Sequence, residues 1–493
     1  VKIQIPQALI LILAACCSSI AHAQDNQLAT FHGPLVTEDV DSTTLNGKVM
    51  CGYQGWFNCA GDGAQVGWHH WAKDGQKPFA PGNVSVDLWP DVSELGRNER
   101  IKTGFKLADG RPAEVFSSFN RNTVKRHFQW MKDYGIDGAF IQRFANELNN
   151  EALFRHRNTV LANAREGAKR AGRTYAVMYD LSGLGAGEVS RVSQDWSVLR
   201  KTLRITPKSD YLYHDGKPVV AVWGIGFGDD RKYSLTECRD LIKFLKSNGC
   251  TVMVGVPTFW REQTRDASDD PMLHEILKLA DIVSPWTIGR YRTPDEASRY
   301  GKNILRSDLA WCKENDLDCL PVVFPGFSWH NLTGKKLNDI PREKGRFLWS
   351  QVVAAKQAGC EMIYVAMFDE VDEGTAIFKC SNDPPVGDGV SFLTYEGLPS
   401  DYYLRLTGMA GKLLRDEIPL TETLPEEMTF SGEDAKQKKT TDRSRDRSRD
   451  QNGLSGGPKS DVETARRMHS CSLIDPPFSS RAVACDVCRV LHS

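Results

Sequence analysis

Short apolar runs alternate along this chain with longer stretches in which apolar residues recur at helical spacing. Eight runs stand out, at 49–53, 138–142, 175–179, 219–223, 252–256, 282–286, 321–324 and 362–367. Most are rich in Val, Ile, Tyr and Met and show no polar alternation, the pattern of strands buried on both faces of a parallel sheet. Between them, 123–134, 158–171, 236–248, 272–280 and 346–358 carry the helical period, and 401–415 adds a helix after the eighth run. Gly135, Gly172, Gly249 and Gly359 follow four of these helices, where a left-handed C-terminal cap favours glycine. Eight strands each followed by a helix predict an α/β fold, a (β/α)8 or TIM barrel over residues 45–420, rather than an open doubly wound sheet. The segment 54–122 is too long for a plain loop and helix, so an elaborated first βα connection is expected to build part of the cleft.

The two ends read differently. Lys2 followed by the apolar stretch 8–15 predicts an export leader over residues 1–23, cleaved after Ala21-His22-Ala23. An alternative is lipoprotein processing at Leu13-Ala14-Ala15-Cys16, which would leave a lipidated Cys16. A linker, 24–44, joins the leader to the barrel. No later apolar run reaches the roughly 18 residues of a membrane helix. An exported protein is therefore expected, periplasmic or extracellular, held to a membrane by a lipid at most, and monomeric. A low-complexity, disordered tail is expected over 421–493; from about 431 it is polar and repetitive, as in Arg443-Ser444-Arg445-Asp446, with too little apolar surface to offset chain entropy.

Composition narrows the function. With 62 basic and 63 acidic residues, net charge −1, nothing favours a nucleic-acid partner. Twelve Trp among 493 residues supply apolar faces with a polar N–H, suited to sugars as well as to cores. No Cys-x2-Cys pair is followed by a second pair or by a His pair, so no structural zinc is expected, and Cys485-Asp486-Val487-Cys488 stands alone. Cys238 and Cys250 flank a helix and lie about 18 Å apart, too far to bridge. Cys59 follows the first strand and Cys380 the eighth. These strands are neighbours in a closed barrel, so a Cys59–Cys380 disulfide is a candidate.

In a (β/α)8 barrel the chemistry sits at the C-terminal ends of the strands. Those ends offer Tyr53, Trp56, Asp180, Trp223, Trp286 and Trp329 as substrate-binding candidates, an aromatic rim of the kind that holds carbohydrate. No zinc, serine-hydrolase, dinucleotide or P-loop motif is present, so neither a metal nor another cofactor is expected. The densest signal is Phe368-Asp369-Glu370-Val371-Asp372-Glu373-Gly374, with four acids in five positions after a buried strand. Glycoside hydrolysis commonly needs two carboxylates, and Glu370 and Glu373 at i, i+3 would be about 5–6 Å apart at Cβ on a helical turn. A solvated acidic loop or a calcium loop is the alternative for this segment, although it lacks the EF-hand order. Asp180 fits either a sugar hydroxyl or the cap of the 182–187 loop. Arg143 is expected to pair with Glu147, and His69 and His70 to serve loop structure.

Glu370-Val371-Asp372-Glu373-Gly374-Thr375 resembles the Glu-x-x-Glu-Gly-Thr segment of glycoside hydrolase family 99, the endo-α-mannosidases and endo-α-mannanases. Gly52-Tyr53-Gln54-Gly55-Trp56-Phe57 is similar to the aromatic first-strand motif of that family and its family 71 relatives, and Val323-Phe324-Pro325-Gly326-Phe327 also matches this group. The resemblance covers about 45–415. It implies a retaining hydrolase in which Glu370 acts as a base on the sugar 2-hydroxyl and Glu373 as general acid, then base. Val371 replaces the family's usual aromatic residue, and Gln54-Gly55 interrupts the first-strand aromatics, marking a side branch. The alternatives are family 71-like α-1,3-glucanase chemistry, xylosidase or arabinosidase activity, and, in another class, a non-catalytic carbohydrate-binding barrel.

Overall fold

The computed structural model describes residues 38–428 apart from 208 and 209, all within the unit 37–493. The leader, both of its cleavage alternatives, Cys16 and the tail beyond 428 lie outside the described residues. Among the described residues, twelve strands occur in the order β1 (Val49–Tyr53), β2 (Ile101–Lys106), β3 (Pro112–Val115), β4 (Gly138–Phe144), β5 (Thr174–Asp180), β6 (Tyr213–His214), β7 (Lys217–Trp223), β8 (Thr251–Pro257), β9 (Ile282–Trp286), β10 (Asp318–Cys319), β11 (Val322–Val323) and β12 (Ile363–Val365). All eight expected runs are strands. β1, β4, β5 and β8 are buried along their whole length, which explains why none shows a polar alternation.

Parallel pairing runs β10-β9-β8-β7-β5-β4-β1-β12-β11. The two ends of this path are two pieces of one chain segment. β10 pairs with β9 and β11 pairs with β12, with only Leu320 and Pro321 between them. Leu320 N–H still donates to Val283 O (2.9 Å), while Pro321 accepts from Tyr364 N–H (3.0 Å). Pro321 has no N–H to give, so the seventh strand splits there and hands the ladder from one neighbour to the other. The sheet closes as an eight-position barrel, the TIM-type fold expected.

Helices on the outside connect the strands: Arg121–Asp133, Glu151–Ala171, Ser190–Lys201, Leu235–Ser247, Arg346–Ala358 and Tyr402–Leu414 among them. Their ends carry chemistry visible in the sequence. Asn120 and Asn150 accept from backbone N–H groups at helix starts, and Ser234 forms a capping box with Glu237. Gly172 and Gly359 end their helices at φ 61° and 101°, a region that penalises a Cβ. The helix Ser190–Lys201 escaped expectation because few of its residues are apolar and only Val192, Asp195, Trp196 and Leu199 are buried. The hairpin β2–β3 escaped because β2 is mostly exposed.

That hairpin belongs to the long first connection, which builds its own aromatic core. Phe79 stacks on Trp89 (5.5 Å) and Trp71 packs on Phe57 (4.6 Å). The connection then docks on the loop after β12: Asp87 N–H donates to Val371 O (2.9 Å), Asp91 N–H to Lys379 O (2.9 Å), and Ser381 N–H to Trp89 O (2.8 Å). This docking overturns the Cys59–Cys380 disulfide. Both are free buried thiols. Residues 89–91 run beside 379–381, whereas the Cys59 thiol donates to Phe116 O (3.2 Å), so strand adjacency does not bring the two sulfurs together. Cys238 and Cys250 are free as well. After the last helix the chain stays in contact with the barrel at Thr421, which accepts from Trp349 Nε1 (3.1 Å), and at Met428, which is buried.

Candidate active site

A pocket opens at the C-terminal end of the barrel, with an empty volume of ≈ 370 Å³. It is lined by Gln54 and Trp56 after β1, Gln142 and Phe144 of β4, Met178 and Asp180 of β5, Trp223 ending β7, Trp286 ending β9, and Met367, Glu370 and Glu373 after β12. The two-residue alternation of a strand selects these positions. Gln142 and Phe144 face the pocket, so Arg143 faces the helices; Met178 and Asp180 face it, so Tyr179 does not.

The structure brings six candidate residues together here: Trp56, Asp180, Trp223, Trp286, Glu370 and Glu373. Tyr53 and Trp329 are not among the lining residues and are corrected as binding candidates. Tyr53 is the last residue of β1, one position out of phase with Gln54 and Trp56; its ring packs on Phe368 and its hydroxyl meets His127 Nδ1 (2.9 Å). Trp329 is buried against Phe327 (5.9 Å), with the Lys335 ammonium over its ring. Arg143 does not pair with Glu147. It forks onto Asp195 (2.6 and 2.9 Å), which also accepts from Tyr179. Glu147 instead pairs with Arg157 (2.5 Å); burial would raise its pKa, but Arg157 and His69 hold it well below the usual range.

The acidic segment is a buried turn. Its carboxylates are held one by one. Asp369 accepts from the N–H groups of Gln54 (2.8 Å) and Gly55 (2.9 Å). Gly55 adopts φ 57°, and a Cβ there would meet Val160 at 2.6 Å, so only glycine presents its N–H in this way. Burial still pushes Asp369 up to about 6. Glu370 accepts on both oxygens, from Gln54 Nε2 (2.7 Å) and Thr375 Oγ1 (2.7 Å). Burial, with Asp372 nearby, pushes it up to about 8 against these two donors. Glu373 is raised well above the usual range by burial, then by Glu370 and Asp180. Its backbone is pinned by Ser328 N–H donating to its carbonyl (2.9 Å). Asp372 faces His70 Nδ1 (2.9 Å); burial raises the acid and lowers the imidazole. His70 in turn stacks on Trp56 (3.7 Å, 6°). Asp180 lines the pocket and also accepts from Ser182 N–H (2.7 Å), so both of its expected roles are compatible, and burial raises its pKa.

Beneath the turn, Arg342 is buried and reaches up to Gly374 O and Ala376 O (both 2.7 Å). Its guanidinium lies over the rings of Tyr395 (4.9 Å) and Tyr403 (4.5 Å), which meet edge to face at 4.7 Å. Sequence reasoning missed Gln54, Gln142, Phe144, Met178, Met367, Thr375, His70 as a partner of Asp372, and Arg342. Strand alternation could have found Gln142, Phe144 and Met178; the rest depend on tertiary contacts. The site holds two differently supported carboxyls in a water-poor aromatic pocket. Such an arrangement can keep one acid protonated beside a carboxylate.

No family model matches the chain, and no curated protein matches it by sequence. Among solved structures, the GH99 endo-alpha-mannosidase from Bacteroides thetaiotaomicron is similar at 15% identity, covering 76% of this chain and 99% of that one, with TM-score 0.56. A structure of the GH99 endo-alpha-mannosidase in complex with bis-tris-propane, from the same organism, is similar at 15% identity, 76% and 98% coverage and TM-score 0.53. The chain therefore shares the barrel fold of these two structures across nearly their whole length.

Proposed function

We propose that this chain is a glycoside hydrolase that cleaves α-glycosidic bonds in a polysaccharide or glycan, with an endo-α-mannosidase-like site and net retention. One observation carries the reading. Glu370 and Glu373 both line the strand-end pocket, and their environments differ. Glu370 accepts two hydrogen bonds, which favour its carboxylate. Glu373 has burial and a neighbouring carboxylate, which favour its acid form. The shared fold with GH99 endo-alpha-mannosidase structures supports the same reading, as does the Glu-x-x-Glu-Gly-Thr segment. The leader-like residues 1–23 support action outside the cytoplasm, and no described helix is long and apolar enough to cross a membrane.

In this reading Glu370 takes the proton of the sugar 2-hydroxyl while that oxygen attacks the anomeric carbon. The glycosidic bond breaks, and Glu373 gives its proton to the departing oxygen. Glu373 then takes a proton from water as the water oxygen opens the anhydro-sugar, and Glu370 returns its proton to the 2-oxygen. The experiment is a turnover assay on α-mannans, α-glucans and aryl α-glycosides with Glu370→Gln and Glu373→Gln. Each variant is expected to stay folded and lose at least about 10²–10⁴-fold in kcat. Glu373→Gln should be partly spared on aryl glycosides with a good leaving group, and Glu370→Gln should not. Near-normal turnover by either variant on a true substrate would sink the assignment and move suspicion to Asp180.

A further inference from the structure

Three residues of the pocket each carry a buried polar atom that no protein group satisfies: Gln54 Oε1, Trp56 Nε1 and Trp223 Nε1. These residues are only 7%, 3% and 3% exposed, so none of the three atoms is relieved by open solvent. Burying such an atom unpaired is unfavourable, which points to a ligand that completes it. The set is one acceptor and two N–H donors. Gln54 has already used its Nε2 on Glu370, so its carbonyl is what remains.

The two indoles are not free to act as stacking platforms. His70 lies parallel to Trp56 at 3.7 Å and 6°, and Phe144 at 5.1 Å and 25°. His70 and Phe144 make no ring contact with each other, so they occupy opposite faces and leave neither face of Trp56 free for a ligand. Trp223 has Phe227 at 4.7 Å and the Arg231 guanidinium at 5.0 Å over its ring, and meets Trp286 edge to face at 5.4 Å and 73°. What these indoles have left to offer is an N–H. The charge of the pocket narrows the ligand further. Asp180, Glu370 and Glu373 line it and no cationic side chain does. The nearby Arg157 and Arg231 are engaged by Glu147 (2.5 Å) and Asp229 (2.9 Å). A uronate, sulfate or phosphate would enter with no lining cation to pair with, and burying an unpaired anion is costly.

We propose that the pocket grips one uncharged or amino-bearing sugar ring by its hydroxyls, with Trp56 and Trp223 donating from their indole edges and the Gln54 carbonyl accepting, and that it excludes anionic sugars. This rests on the glycosidase reading above. The test is calorimetric titration of the full chain with mannose- and glucose-configured piperidine iminosugars, their monodeoxy analogues, and glucuronic acid. Wild type is expected to bind at least one iminosugar and not the uronic acid. Trp56→Phe and Trp223→Phe keep the packing rings and remove the N–H, and each should weaken that binding about 3–10-fold, the worth of one neutral hydrogen bond. For each indole, one monodeoxy analogue should lose a similar factor on wild type and nothing further on the matching variant, the signature of a direct pair. If a variant fails to fold, the monodeoxy series on wild type decides alone: no analogue losing threefold would overturn the proposal. Unchanged affinity in both variants, or preferential binding of glucuronic acid, would overturn it while leaving turnover, and so the glycosidase reading, intact. A wild type that neither binds these probes nor cleaves any glycoside would instead bring down the glycosidase reading itself.

Discussion

Glu370 sits between two influences of opposite sign, and each can be removed separately. Burial and Asp372 raise it; the Thr375 hydroxyl and the Gln54 amide lower it, and the balance stands at about 8. A base must be ionised to act, so kcat/KM should rise through about pH 8 as Glu370 loses its proton. Thr375→Val removes a donor that favours the carboxylate and should move this acid limb to higher pH. Asp372→Asn removes a neighbouring negative charge and should move it to lower pH. Each displacement should be about half to one pH unit, and pH–rate profiles in which both variants move the limb the same way would contradict the scheme. At this scale the sequence was legible where a side chain ends a strand. Glu370, Glu373, Asp180, Trp56, Trp223 and Trp286 were all found by that logic. Tyr53 was misplaced because a strand end was treated as one point, although successive residues there face opposite layers, and Trp329 because it lies well past its strand, at the start of the short helix His330–Thr333. Of the partners that tune the acids, Gln54 and His70 reach the turn across long stretches of chain and leave no local pattern, whereas Thr375 lies five residues from Glu370 in the same segment.

The turn 370–376 is an element without a regular hydrogen-bond ladder, and a buried cation joins the backbone bonds that support it. Arg342 holds two of its carbonyls, and among the described residues no carboxylate lies within ion-pair reach of it. Its planar fork, and the two tyrosine rings it packs on, suit guanidinium and not ammonium. Arg342→Lys should therefore lower kcat by more than tenfold while keeping the charge. Arg342→Ala, which leaves buried carbonyls unpaired, should lose on the order of 3 kcal/mol in urea unfolding. Equal activity of wild type and Arg342→Lys would show that the turn holds itself. The elements themselves were the most readable part of the chain. All eight barrel strands and the helix Arg346–Ala358 were located from period and caps. The failures share a cause: β2 and the helix Ser190–Lys201 bury little, and a mostly solvated element carries little periodic signal. The split at Pro321 was likewise hidden, because a strand that changes neighbours keeps its apolar run.

Across the whole molecule, the buried carboxyls make stability depend on pH in a definite direction. Asp369 stands at about 6, Asp308 at about 7 and Glu370 at about 8, and Glu373 and Asp372 are also raised well above the usual range. In the unfolded chain such groups titrate near about 4. Between these limits the folded protein binds more protons than the unfolded one, so stability falls as pH rises. Buried His127 and His156, both lowered to about 3, act the other way, but only below their unfolded value near about 6.5. The melting temperature should therefore decline from pH 6.5 to pH 8.5, and Glu370→Gln, which removes one of the protons in question, should flatten the decline. A melting temperature that climbed over this interval would show that these acids are ionised in the fold.

The amide of Gln54 and the carboxyl of Glu370 touch across 316 positions of sequence, and Asp369 gathers its two N–H groups from the same distant strand end. The first and last barrel strands must meet before either acid has all of its partners. Closing so long a loop is among the slower events of folding, so the bonds from Gln54 and Gly55 to the acidic turn are expected to form late, after a ribosome has released nearly the whole barrel without them.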